Sequence, residues 1–293
     1  MAWLANAAAW EQAEARGERL AAPPARVVAG ANDKAFALAS AREHARVPES
    51  VDPLIQVFAA PDCLATDFPD RVQKQVERWP AWTRHDFTLK PRHGTAGRGR
   101  VSRFEEIAGA AERLARAGGA ILEPWLQRTH DLSVQLYISP AAEIQLLGST
   151  RLMTSPAGVT RGIAGTLGDD ELSHSRSPGD TAARSAAIEL ARSAAKLGYS
   201  GPCGVDAFEF RGPAGLELRP IVELNARFTM GTVALGQLAR AHKPAGTCFL
   251  FLPHLPPERA AALDHRLLGP VRAGGAPLIA FAPEPAELSS LLQ

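Results

Sequence analysis

Ile221-Val222-Glu223-Leu224-Asn225-Ala226-Arg227 alternates apolar and polar side chains. As a strand it places Glu223, Asn225 and Arg227 on one face, with Val222 and Leu224 on the other. Oxygen ligands two residues apart suit Mg²⁺, which takes carboxylate and carbonyl oxygens together with phosphate. The same run also fits an edge strand whose polar face meets water. Working outward, residues 204–210, a Gly/Pro turn at 211–215 and residues 216–227 read as a hairpin. Its antiparallel pairing brings Asp206 within reach of Glu223 and Asn225. Three oxygen donors from adjacent strands can hold one or two Mg²⁺ and leave positions for phosphate oxygens. Asp206 taken alone fits equally a pairing with a surface arginine.

Upstream, residues 87–90 form a strand candidate ending in Lys90, followed by a loop containing Gly94, Gly97 and Gly99. Glycines let backbone N–H groups turn toward an anion, and Lys90 adds a point charge beside them. The pattern is neither GxxxxGK[ST] nor GxGxxG. Its arginines, from Arg92 to Arg103, would equally suit RNA phosphate. Ser102 and Glu105 have capping-box spacing and predict a helix that stops at Gly118-Gly119. Residues 120–123 form a short buried strand that Pro124 ends. This fits a linker between lobes or a plain edge strand.

Elsewhere, residues 3–20 have a helical pattern, and Asn32-Asp33 caps a helix running toward His44. A strand is expected near 55–58 and a helix over 69–79. Residues 131–138 alternate cleanly and return through 144–150 as a hairpin. Residues 153–176 are Gly/Ser/Thr-rich and read as a mobile loop with weak strand content. Asp180 is expected to cap a helix over 181–197. The tail suggests a helix near 257–263 and a strand at 278–281. Hairpins mixed with helices, without βαβ repetition, predict an α+β fold with largely antiparallel sheets.

The 293 residues include 32 Lys and Arg against 31 Asp and Glu, a net charge of +1, which gives no support to bulk nucleic-acid or membrane binding. No apolar run has the length of a membrane span, and the N-terminus lacks a signal-peptide pattern. Cys63, Cys203 and Cys248 are scattered and read as free thiols of a reducing cytoplasm. His85, His93, His130 and His174 lack ligand spacing and read as surface or loop residues.

In order, the chain shows Asn32-Asp33-Lys34, Phe87-Thr88-Leu89-Lys90-Pro91 with its glycine loop, and Glu123-Pro124-Trp125-Leu126. Asp131-x-Ser133-Val134, Gly204-Val205-Asp206 and Glu223-Leu224-Asn225-Ala226-Arg227 complete the series. This series resembles the ATP-grasp superfamily of carboxylate–amine or carboxylate–thiol ligases, over roughly residues 30 to 240. The resemblance implies an ATP-grasp fold of two α+β lobes: an N-terminal lobe at 31–124 and a C-terminal lobe with the metal site at 125–245. A helix or linker at 1–30 and an extension at 246–293 flank them. It implies ATP and Mg²⁺, or Mn²⁺, as cofactors. Lys34 and Lys90 would contact phosphates, and the loop of Gly94, Thr95, Ala96, Gly97 and Gly99 would close over them. Glu123, Pro124, Trp125 and Leu126 would form the adenine hinge, largely through backbone groups, and Asp131 would hold the ribose. Asp206, Glu223 and Asn225 would bind metal. Arg227, and more weakly Arg151, would steady an acyl phosphate or substrate carboxylate.

The implied activity joins a carboxylate, activated as an acyl phosphate, to an amine, with an amino acid or peptide as one small-molecule substrate. A non-catalytic nucleotide-binding scaffold and an RNA-binding module are the competing readings. Family members usually carry a larger N-terminal domain before the first lysine motif. A short member, a trimmed start, or a homodimer or partner supplying the missing wall would each account for the difference.

Overall fold

Two largely antiparallel sheets meet at a cleft, and the chain crosses from one to the other over residues 124–128. A computed structural model describes residues 7–17, 22–94, 98–155, 160–252, 278–284 and 288. Helices α1 (Ala7–Ala15), α2 (Ala25–Ala31) and α3 (Lys34–Glu43) lead into strand β1 (Gln56–Ala59). Helices α4 (Ala60–Leu64) and α5 (Phe68–Glu77), strand β2 (Phe87–Pro91), helix α6 (Ile107–Arg116) and strand β3 (Gly119–Pro124) follow. These strands form a three-stranded sheet in the order β1-β3-β2. Phe58, Phe68, Val72, Leu89, Ile107, Leu114 and Leu122 are its buried core. Gly119 has φ +115°, and a Cβ there would sit 2.1 Å from the Phe58 carbonyl oxygen, so the start of β3 admits only glycine.

The larger sheet is built from β4 (Arg128–Ile138), β5 (Ile144–Thr154), β6 (Thr160–Leu167), β7 (Ser173–His174), β8 (Gly201–Gly212) and β9 (Gly215–Asn225). Strands β10 (Cys248–Leu252) and β11 (Leu278–Ala282) extend it, giving the order β11-β10-β6-β7-β5-β4-β8-β9. Helix α7 (Asp180–Lys196) lays Ala183, Ala186, Ala187, Leu190, Ala191 and Ala194 against Leu132, Val134 and Leu136. Alanine at helical spacing lets that helix lie close to the sheet. Helix α8 (Met230–Ala241) covers the other face, over Ile163, Phe249 and Phe251. The α+β architecture with antiparallel pairing is the one expected. No described helix is long and apolar enough to cross a membrane.

Several local expectations are corrected. Ser102 and Glu105 form no capping box: α6 starts at Ile107 after a 3₁₀ turn, and Glu105 instead accepts from Arg103 Nε at 2.7 Å. Asp180 is the first residue of α7 rather than its cap, and its carboxylate accepts hydroxyls from Ser149 and Ser175. Within 153–176 lies β6, an interior strand. Its Gly165 reads as loop in the sequence, yet a Cβ there would come within 2.8 Å of the Phe249 ring, so the glycine serves packing. His130 and His174 lie in strands β4 and β7 rather than loops, His130 with Nδ1 2.7 Å from Glu209. The sequence reading missed α8 and β10. The helix expected near 257–263 lies outside the described residues.

Candidate active site

The β8–β9 register sets Asp206 directly opposite Glu223 and Gly204 opposite Asn225, while β4 sets Ser133 beside Asp206. Directly paired residues share a face, so the two carboxylates lie side by side as the hairpin expectation required. Ser133 Oγ donates to Asp206 Oδ1 at 2.8 Å, and Asn225 Nδ2 donates to Asp206 Oδ2 at 3.1 Å. Arg227 Nη2 donates to Asn225 Oδ1 at 2.7 Å. Lys34 Nζ lies 3.2 Å from Glu223 Oε2 and donates to the Gly94 carbonyl at 2.9 Å. Burial, and then the neighbouring Glu223 carboxylate, push the Asp206 carboxyl up to about 7. Burial works the same way on Glu223, but Lys34 and Lys90 outweigh it and hold Glu223 below the usual range. One carboxyl of the pair therefore keeps a proton where an isolated aspartate would have lost it.

Asp33 caps α3 by accepting the Ala35 N–H at 2.9 Å and so fixes Lys34 at the first helical position. Asn32, which the sequence reading used only as a cap, instead accepts the Ala226 N–H at 3.0 Å. That bond ties the α2–α3 junction to the chain between Asn225 and Arg227. The glycine loop is closed at its base by a bridge in which Leu89 and Val101 exchange N–H···O bonds of 2.8 and 3.0 Å. Gly99 has φ +76°, and its carbonyl accepts from Arg113. Thr95, Ala96 and Gly97 lie outside the described residues.

The expected hinge has a different chemistry at its first residue. Glu123 is 1% exposed and acts through its side chain, held between Lys90 and Arg219. Burial would raise its carboxyl, but Arg219 and then Lys90 outweigh burial and hold it at about 2. Burial in turn lowers Lys90. The Trp125 N–H donates to the Asp86 carbonyl at 2.8 Å, and Leu126 is buried beside Phe208. The guanidinium carbons of Arg100 and Arg128 lie 4.3 and 4.8 Å from the Trp125 ring centre, and Arg128 also lies 4.3 Å from that of Phe208. Asp131 accepts from Arg128 Nη1 at 2.9 Å and from Thr154 Oγ1 at 2.8 Å.

Lys34, Lys90, Gly94, Trp125, Asp131, Asp206 and Glu223 all border one cleft of about 170 Å³, floored by Phe208 and Val222. A larger cavity of about 430 Å³ adjoins it, sharing Trp125, Arg128, Asp131, Leu152 and Thr154. The carboxylate pair and the two lysines border the smaller one. Arg151 is not brought to the carboxylate pair. It pairs with Leu132, whose side chain is in the core under α7, so it leaves the sheet on the face away from Asp206. It borders the larger cavity and a third one of about 190 Å³ with Arg176, Thr166 and Cys248. Cys203 is buried, and burial pushes its thiol up to about 12, as suits a small apolar side chain.

Among the described residues, no three His, Cys, Asp or Glu side chains gather as a metal site. The donor set is two carboxylates and an amide, which fits Mg²⁺: that ion is bound by one or two carboxylates with phosphate and water completing the shell. The raised Asp206 carboxyl supports the fit, because two adjacent carboxylates are relieved by a cation. Asn225 here turns its N–H toward Asp206 and its oxygen toward Arg227. Serving a cation beside Asp206 would require the amide to turn over.

No family model and no curated protein matches the sequence. Solved structures do match. Biotin carboxylase from Campylobacter jejuni, in a β,γ-ATP complex, has a TM-score of 0.61 at 13% identity, covering 94% of this chain and 68% of that one. N5-carboxyaminoimidazole synthase from Aspergillus clavatus, with ADP and the aminoimidazole ribonucleotide, has a TM-score of 0.61 at 15% identity, covering 99% and 78%. The biotin carboxylase domain dimer of 2-oxoglutarate carboxylase from Hydrogenobacter thermophilus, with MgADP, ADP and bicarbonate, scores 0.60 at 13% identity, covering 93% and 67%. With a small antiparallel sheet facing a large one across the cleft of Lys34, Lys90, Asp206 and Glu223, the chain has the ATP-grasp fold.

Proposed function

We propose that this chain is an ATP- and Mg²⁺-dependent ligase that activates a carboxylate as an acyl phosphate and joins it to an amine, with an amino acid or peptide as one substrate. The observation that carries the reading is the Asp206–Glu223 pair, two adjacent carboxyl groups of which Asp206 has a raised proton affinity, in the same cleft as Lys34 and Lys90. Such a pair is costly for a fold and suited to a divalent cation. The similar structures whose complexes contain ADP or ATP, and in one case Mg, support the same nucleotide and metal here.

In this reading Asp206, Glu223 and Asn225 hold the metal, which when bound neutralises charge on the phosphates. Lys34 and Lys90 hold phosphate oxygens beside Gly94. The segment from Glu123 through Pro124 and Trp125 to Leu126 borders the base, and Asp131 the ribose. A carboxylate is a poor electrophile, and phosphorylation gives it a leaving group. The lysines stabilise the charge that moves during that transfer. Arg227, held by Asn225, lies on the side where a substrate carboxylate would sit, and its forked donors suit that group. ADP release with Mg²⁺-ATP and a panel of carboxylic and amino acids tests the proposal. Release should require an acid and an amine together and disappear in Glu223→Ala. ATP-independent behaviour of the wild type across the panel would refute it.

A further inference from the structure

Glu123 presents one oxygen to each of two cations: Oε1 to Lys90 Nζ, and Oε2 to Arg219 Nη1 at 2.7 Å. Lys90 comes from β2 and Glu123 from β3 of the small sheet, while Arg219 comes from β9 of the large one. Lys90 alone would neutralise Glu123. The triad by itself therefore carries a surplus positive charge in a place where burying charge is expensive, and Glu223, which also acts on Lys90, offsets it only from outside the triad. Arg219 is 2% exposed; its Nε has no hydrogen-bond partner, and its Nη1 meets Glu123 Oε2 as a close ion pair without hydrogen-bond geometry. Its other neighbour is the Phe208 ring, 5.9 Å away. The two cations differ in one respect: Lys90 borders the cleft, whereas Arg219 is enclosed behind it.

We propose that Arg219 is a positioning residue: it is the standing counter-ion of Glu123 that allows Lys90 to transfer its ammonium from that carboxylate to the phosphates of a nucleotide. Without Arg219, any movement of Lys90 toward an anion in the cleft would leave Glu123 buried and unpaired, so Lys90 would stay where it is. With Arg219 in place, Glu123 remains neutralised and the surplus charge becomes the charge offered to the phosphates. The same bridge couples the two sheets, because the Glu123 that receives Arg219 belongs to the strand leading into the Pro124–Arg128 crossing. This inference rests on the reading of the cleft as a nucleotide site.

The test is calorimetric binding of ATP and of adenosine to the full chain, with and without Mg²⁺. Arg219→Met should weaken ATP by roughly 10- to 100-fold, the range for loss of a charged hydrogen bond, and leave adenosine within about twofold. Arg219→Lys should recover most of the ATP affinity. Glu123→Gln combined with Arg219→Met removes the carboxylate that detains Lys90, so the double variant should regain the wild-type ratio of ATP to adenosine affinity. Equal weakening of both ligands in Arg219→Met, or no weakening of ATP, would reduce Arg219 to a packing role and overturn the proposal. Should Arg219→Met not fold, the double variant decides: a ratio still lost there overturns the proposal as well. A wild type that fails to bind ATP would overturn the nucleotide reading itself.

Discussion

Two buried charge clusters face each other across the cleft, and their imbalances are opposite. On β8 and β9, Asp206 and Glu223 lie beside Lys34 of α3, and once both carboxyls are ionised the excess is negative. Where the two sheets meet, Lys90 of β2 and Arg219 of β9 share Glu123 of β3, and the excess within that triad is positive. Each arrangement burdens the folded chain, and each would be relieved by a ligand of opposite sign: a divalent cation at the first, phosphate oxygens at the second. Neutralising a carboxylate should therefore have opposite consequences in the two places. A cleft held together only for stability would not show that asymmetry.

The largest effect expected is on turnover. Glu223→Ala removes the proposed metal donor and the partner of Lys34 together, and the proposed ATP-dependent ligation should fall by about 100- to 1,000-fold, the scale of losing a group that stabilises charge in the transition state. Steady-state ADP release, measured alongside a melting curve, checks it: activity should vanish while the fold persists. Next is the stability of the other cluster. Glu123→Gln leaves Lys90 and Arg219 buried without a carboxylate, which should cost about 3–5 kcal/mol in chemical denaturation. A cost below about 1 kcal/mol would show that the two cations repack or reach water, and the contrast between the clusters would dissolve.

How much of this was legible in the sequence differs between the two clusters, for a physical reason. Asp206, Glu223 and Asn225 lie on one hairpin, where register follows from strand alternation and a short turn, so local pattern suffices to predict their meeting. Ser133 and Gln135 extend that polar face on β4, and their alternation with Leu132, Val134 and Leu136 was a readable signal. Arg219 carried none. A single arginine in a strand says nothing about a partner in another sheet, and the sequence reading gave Glu123 a backbone role. Arg151 went wrong for a related reason. Its strand was recognised, but its face depends on pairing with Leu132, and a shift of one residue would have reversed it. In β6, glycines that make room for Phe249 look the same as glycines of a loop.

The carboxylate pair also predicts a pH dependence of definite sign. The folded-state affinity of Asp206 for its proton is raised from 3.8 to about 7, so between those values the folded chain binds more protons than the unfolded one. Stability from this group is therefore present below about pH 4 and declines as pH rises toward 7. Asp206→Asn should flatten that decline and stabilise the chain at pH 8 by on the order of 1–2 kcal/mol, while abolishing turnover. Mg²⁺ must displace the shared proton, so its stabilising effect on the wild type should be larger at pH 8 than at pH 5.5. A Mg²⁺ shift in melting temperature independent of pH would mean that the cation binds elsewhere.

The smallest effect is the one that separates the two faces of the large sheet. Arg227 and Arg151 were both candidates for holding a substrate anion. Arg227 is joined to Asp206 through Asn225, whereas Arg151 projects from the face that carries α7. Truncating each to alanine tests the assignment directly. Arg227→Ala should raise KM for the acid substrate and lower kcat together, because it removes a forked contact and frees the Asn225 amide to change orientation. Arg151→Ala should change kcat/KM by less than about twofold, the level of a surface substitution with no contact to the reacting groups. The comparison is decisive because both variants remove the same guanidinium from the same sheet. Only the face differs, and a loss of activity in Arg151→Ala matching that in Arg227→Ala would require the substrate to reach past the end of β5 through the larger cavity that Arg151 borders.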